Sequence, residues 1–168
     1  KEQTVRQLEY LKEVPYFGRI DFLENGEYFA EEIYIGRYGF RNKKTREYEI
    51  YDWRTPIASM FYDSGIGEVS YRCPAGIIEG KLTCKRQYKI ENGELKYCYD
   101  TTVAVQDDVL EEVLAENTDK VLRVIIDTIT REQNQAIRQP HELNMLVTGP
   151  AGSGKTSVGM HRLAYLLY

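Results

Sequence analysis

Gly149-Pro150-Ala151-Gly152-Ser153-Gly154-Lys155-Thr156 constrains this chain more than any other stretch, because it matches the phosphate-binding pattern G-x-x-x-x-G-K-[ST]. The flanks supply the context that the pattern needs. The mostly apolar run 143–148 predicts a short buried strand. After the loop, Val158, Met160, Leu163, Ala164, Leu166 and Leu167, with no proline, predict a largely buried helix. The glycines allow backbone N–H groups to turn inward, and the helix start adds unsatisfied donors and a positive dipole end. Lys155 can reach the β- and γ-phosphates, and the Thr156 hydroxyl can ligate Mg²⁺. The expected nucleotide contacts are therefore Gly149, Pro150, Ala151, Gly152, Ser153, Gly154, Lys155, Thr156 and Ser157. Lys155 and Thr156 carry the chemistry, with ATP and Mg²⁺ as cofactors. The competing reading, a glycine-rich turn before an ordinary helix, explains neither the Lys-Thr pair nor its spacing.

Composition narrows the rest. A chain of 168 residues, 42% hydrophobic, can bury a real core in one domain or two small ones. A net charge of −4 argues against a generally basic nucleic-acid coat but leaves local patches open. Three cysteines without C-x-x-C spacing, Cys73, Cys84 and Cys98, argue against a disulfide framework or a zinc site, and are expected to act as small apolar filler on strands. That usage fits a reducing cytoplasm. No apolar run approaches about 18 residues, so no membrane span is expected.

Taken in order, 1–14 shows Val5, Leu8 and Leu11 at helical spacing and predicts a helix ended before Pro15. From 15 to about 104 the period changes to two, and aromatic residues crowd in. Glu24-Asn25-Gly26-Glu27 recurs as Glu91-Asn92-Gly93-Glu94, and Asn-Gly between alternating runs is a strong hairpin signal. The pattern predicts an antiparallel β-rich module of roughly six to eight short strands, as a sheet or small barrel. Asp52-Trp53-Arg54 beside Pro56 reads either as an edge strand with a buried Trp and an Asp–Arg pair, or as a polar joint where the β-module contacts the motor core or a nucleic acid. Arg37, Arg41, Lys43, Lys44 and Arg46, interleaved with Tyr34, Tyr38 and Phe40, could track nucleic acid or form a solvated hairpin tip. Lys81, Lys85, Arg86 and Lys89 pose the same choice.

Helices are expected over 107–117 and about 119–129, then over a segment from Thr130 that is ended by Pro140. Thr130 and Gln133 fit a capping box. Gln133 could alternatively read an adenine edge, because its amide donates and accepts together. The fold class is thus α+β: a β-rich module, helices over 105–168, and the first β–P-loop–α unit of an incomplete P-loop NTPase domain. Such a domain needs further parallel strands, so the chain is expected to be part of a longer protein.

Gln133 ahead of the loop, with His161-Arg162-Leu163-Ala164-Tyr165-Leu166 behind it, resembles the opening of superfamily 1 helicases of the UvrD/Rep kind. That resemblance implies that Gln133 binds adenine. A narrower resemblance, to the HelD-like helicase factors of Gram-positive bacteria, rests on several strings in order. They are Pro15-Tyr16-Phe17-Gly18-Arg19-Ile20-Asp21-Phe22, Ile33-Tyr34-Ile35-Gly36, Ile50-Tyr51-Asp52-Trp53-Arg54-Thr55-Pro56-Ile57, Ile78-Glu79-Gly80, Lys85-Arg86-Gln87 and Thr128-Ile129-Thr130-Arg131-Glu132-Gln133-Asn134. It implies an ATP-driven factor that binds RNA polymerase and helps release it from nucleic acid. By the same resemblance, 1–14 is the base of a coiled-coil arm and the remainder is the N-terminal part of motor domain 1A. A conventional DNA-unwinding UvrD-like helicase, and a catalytically inert protein-docking module, are the alternatives.

Overall fold

The computed structural model describes residues 2–101, 129–140 and 144–168. The chain divides between Asp127 and Thr128 into two compact units. The helices expected over 107–117 and about 119–129, and the boundary expected near 104, fall on residues outside the described set.

The first unit begins with helix α1 (Glu2–Glu13), which stops two residues before Pro15. Seven strands follow: β1 (Gly18–Glu24), β2 (Glu31–Gly36), β3 (Phe40–Arg41), β4 (Tyr48–Asp52), β5 (Gly67–Cys73), β6 (Gly76–Glu91) and β7 (Glu94–Asp100). Between β4 and β5 lies the short helix α2 (Ser59–Asp63). The sheet runs β3-β4-β2-β1-β6-β5, and β7 also pairs with β6. β6 pairs with β1 over residues 80–87, with β5 over 76–82 and with β7 over 86–91. It is the strand on which the rest of the sheet is hung.

Alternation makes the core. Along β1, Gly18, Ile20 and Phe22 are buried, while Arg19 and Asp21 face the other way. Ile20 lies opposite Ile33, and Gly18 opposite Ile35, so the antiparallel register puts apolar residues on one face. Ile20, Ile33, Ile35 and Leu82 are fully buried, each contributing about 1.5–3 kcal/mol. α2 closes this face with Met60 and Phe61. Gly18 is needed there, since a Cβ would meet the Phe61 ring at 2.7 Å. On the opposite face Arg19 pairs with Asp21 and Glu32, and Tyr16 packs on Tyr34 and Tyr88.

The sheet is mixed, not purely antiparallel, and the described strands leave it open. β2 and β4 run parallel, with Ile35 opposite Tyr51 and Gly36 opposite Asp52. The chain leaves β2, forms β3 outside, and returns through the β3–β4 hairpin so that β4 slots between β3 and β2. Gly36 permits this approach: a Cβ there would lie 2.5 Å from the Pro15 carbonyl and 2.9 Å from Ile50 Cγ2.

The two Asn-Gly strings behave differently. Asn92 (φ 53) and Gly93 (φ 76) form the tight β6–β7 turn between Glu91 and Glu94. Asn25-Gly26 makes only a local turn, because β1 keeps pairing with β6 as far as Glu24 while β2 has already diverged. Residues 25–30 therefore form a loop that exposes Tyr28 and Phe29.

Asp52-Trp53-Arg54 is a buried turn at the end of β4, which is an inner strand and not an edge. Asp52 accepts from Arg54 Nε at 2.7 Å, from Arg54 Nη2 at 2.6 Å and from the Arg54 backbone N–H at 3.0 Å. Trp53 donates its backbone N–H to Gly36, which extends the parallel pairing. Removing the guanidinium leaves a carboxylate only 5% exposed without its counter-charge. Arg54→Ala is therefore expected to cost about 2 kcal/mol, discounted because Arg54 is itself partly solvated. The urea midpoint measures this, and a shift below about 0.5 kcal/mol would contradict it.

The cysteines are free and lie on β5, β6 and β7. Cys73 and Cys84 are half-buried, and burial pushes the Cys84 thiol up. Cys98 is exposed, so it is not apolar filler: the outer face of β7 has no layer over it among the described residues.

The second unit holds α3 (Arg131–Ile137) and α4 (Lys155–Leu166), packed through Asn134, Ile137 and Val158. The strand expected over 143–148 is not formed at 144–148, where Leu146 is 88% exposed. A parallel strand exists only as part of a ladder, and the described residues of this unit contain no strand to pair with. No helix among the described residues is long and apolar enough to cross a membrane.

Candidate phosphate-binding site

The loop before α4 is shaped by two left-handed glycines, Gly152 (φ 84) and Gly154 (φ 79). A β-carbon at either would be strained. At Gly154 it would also meet Gln133 Nε2 at 2.8 Å. The Ser153 N–H bonds the Pro150 carbonyl at 3.3 Å and closes the turn. Gly154 is the N-cap of α4 and offers no side chain to the helix start. Helix geometry leaves the first-turn N–H groups of Lys155, Thr156 and Ser157 without intrahelical acceptors, pointing out of the helix start with the positive dipole end. Val158 is the first to bond back, to Gly154, at 2.8 Å.

Lys155 folds over this loop. Its Nζ donates to the carbonyls of Gly149 at 3.0 Å and Pro150 at 2.6 Å. The ammonium thus rests on the carbonyls of its own loop. Thr156 and Ser157 are exposed on the first turn of α4. His161 Nδ1 lies 2.8 Å from the Ser157 carbonyl, a contact that favours the proton on Nδ1. The predicted residues 149–157 are therefore one continuous surface.

Gln133 joins it from α3. The capping box is present: Thr130 Oγ1 accepts from the Gln133 N–H at 3.3 Å, and Gln133 Oε1 accepts from the Thr130 N–H at 3.1 Å. The same amide donates through Nε2 to the Ser153 carbonyl at 3.3 Å. Gln133 is thus both a helix cap and the side chain that brings the start of α3 onto the glycine loop.

Two residues that hold the unit together were not singled out for these roles from sequence. Arg162 donates from Nη1 to the carbonyls of Ala136, Ile137 and Gln139, and from Nη2 to that of Pro140, at 3.0–3.3 Å. It satisfies the orphan carbonyls at the end of α3. Asn134 is fully buried and accepts from Arg138 Nε at 3.0 Å, while Arg138 lies over the Tyr165 ring at 5.3 Å. The sequence carried no signal for Arg162: Met160, Leu163, Leu166 and Leu167, expected to bury α4, are exposed, and His161, Arg162 and Tyr165 are half-buried instead.

In the first unit, the cations at 81–89 are largely engaged. Lys85 Nζ donates to the Ser64 carbonyl and lies over Phe61, and burial lowers its pKa against the opposing pull of Asp63. Arg86 pairs with Asp100, and Lys89 lies 3.8 Å from Glu91. The described residues contain no cluster of His, Cys, Asp or Glu suited to a metal ion.

Comparison with known proteins bears on the first unit. A search of curated proteins returns no match. The family model described as "DNA helicase IV HelD, N-terminal domain" matches residues 1–119, which is most of the chain. The chain belongs to the HelD helicase family, in its N-terminal region.

Proposed function

We propose that 149–157 binds the phosphates of ATP with Mg²⁺, within a helicase-like motor that couples hydrolysis to release of RNA polymerase, with strand separation as the alternative. The observation that carries the nucleotide reading is the loop itself. Two left-handed glycines, the first-turn N–H groups that helix geometry leaves without acceptors, and the exposed Lys155 ammonium all lie within 149–157. This donor set fits an anion: a triphosphate would exchange the neutral carbonyls now facing Lys155 for charge-assisted bonds. Lys155 would hold the β- and γ-phosphates, and Thr156 would place its hydroxyl on Mg²⁺. When bound, Mg²⁺ supplies positive charge against the phosphate oxygens. RNA polymerase as partner is supported by the family resemblance, as is DNA.

Gln133 would add base selectivity by turning its amide from the cap to the adenine edge. Gln133→Ala is expected to weaken ATP by about tenfold and to narrow the preference for ATP over GTP, read by titration of fluorescent nucleotide. Removing the capping box also lowers stability by about 1 kcal/mol. An unchanged ATP-over-GTP ratio in the folded variant would leave Gln133 as a helix cap only. Magnesium-dependent ATP binding by wild-type chain tests the site as a whole, and its absence would contradict the nucleotide reading.

A further inference from the structure

The β3–β4 hairpin gathers features that the glycine loop does not use. Its tip presents Lys43, Lys44 and Arg46, all exposed, and none makes an ion pair among the described residues. The tip is built rather than loose. Asn42 Oδ1 accepts from the N–H groups of Lys44 at 2.9 Å and Thr45 at 3.4 Å, and Arg46 takes a left-handed φ of 64. Arg41, Asn42, Lys43 and Arg46 line an open concavity.

Arg41 connects this tip to an aromatic platform. Its Nε donates to the Arg46 carbonyl at 2.5 Å, and its guanidinium lies over the Tyr48 ring at 5.4 Å. Tyr48 in turn stacks on Tyr51, centroids 5.3 Å apart and planes 28° from parallel. Tyr48 is 52% exposed, and a base would reach its ring by taking the place that the flexible Arg41 side chain now holds. Burial, and then Glu31, push the Tyr51 hydroxyl up to about 12, so it stays neutral. Of the two carboxylates on the hairpin, Glu49 accepts from Asn42 Nδ2 at 2.6 Å, and Glu47 remains in solvent.

Paired cations and an exposed stacked ring on one rigid hairpin form the combination that binds a strand by its phosphates and one or more bases. We propose that the β3–β4 hairpin is a contact site for single-stranded nucleic acid, with Lys43, Lys44 and Arg46 on the phosphates and Tyr48 under a base. The site belongs to the first unit and is independent of the ATP reading.

The test is binding of the chain to fluorescein-labelled oligothymidylate of about 16 nucleotides, by anisotropy over a range of salt. Lys43→Ser/Lys44→Ser/Arg46→Asn removes the charges, and asparagine suits the left-handed position. It is expected to weaken binding about tenfold or more and to reduce the salt slope by about 2, for three lost phosphate contacts. Tyr48→Ala is expected to weaken oligothymidylate about tenfold while leaving an abasic deoxyribose-phosphate strand unchanged. Thermal midpoints close to wild type establish that both variants are folded, as expected for exposed positions. Wild-type affinity and slope in the folded triple variant would overturn the proposal. So would equal losses on both strands for Tyr48→Ala, or no binding by wild type.

Discussion

Lys155→Ala is expected to weaken nucleotide binding by this chain about tenfold and, under the proposed function, to lower ATP turnover by on the order of 100-fold or more. The side chain is exposed, and its hydrogen bonds go to the carbonyls of Gly149 and Pro150 in its own loop. Removing it should therefore leave the melting temperature nearly unchanged, which separates a functional loss from unfolding. The physical basis is charge: neither backbone N–H groups nor the Thr156 hydroxyl can neutralise a γ-phosphate as an ammonium does. Lys155→Arg should also fail, because a wide guanidinium fork does not fit where a compact ammonium bridges two carbonyls. Wild-type turnover in Lys155→Ala would remove the loop from the chemistry.

Gly80→Val is expected to destabilise the first unit by about 3 kcal/mol. Gly80 is buried in β6 where that strand is flanked on both sides, opposite Glu24 of β1 and Val69 of β5. A Cβ there would collide with the Leu23 carbonyl and would meet Phe22 ring carbons at 2.6 and 2.7 Å. The ring fills the space that a side chain would need, and the backbone carbonyl cannot give way without breaking the β1–β6 ladder. The urea midpoint should fall by about 1–2 M with an unchanged slope. Gly65→Ala is the matched control, since a Cβ at Gly65 meets nothing within 4 Å and should be nearly neutral. Equal midpoints for the two variants would contradict the packing described here.

What could be read from the sequence was local. The alternation Gly18-Arg19-Ile20-Asp21-Phe22 assigns its own faces, and Asn92-Gly93 forms its tight turn because the flanking residues pair at once. The same letters at Asn25-Gly26 misled, because β1 there follows β6, a partner 55 or more residues away along the chain. The parallel β2–β4 pair was equally hidden: nothing local to Ile35 says that the chain will go out to β3 and come back inside it. α2 was lost within a stretch that alternated like a strand, although Pro56 and the Ser59 bond back to its carbonyl start a helical turn instead. In the second unit the loop pattern and the Thr130–Gln133 box were both visible. The bond from Gln133 to Ser153, which joins them, needs the fold. Arg162 meets its four carbonyls along 136–140 only once the fold brings α3 and α4 together.

The most direct test of the proposed function is ATP turnover by the protein, with added single-stranded DNA compared with added core RNA polymerase. The account predicts that the protein binds polymerase and that DNA stimulates turnover only weakly. Strong stimulation by DNA, with no binding to polymerase, would contradict the release-factor reading and identify a conventional strand-separating helicase.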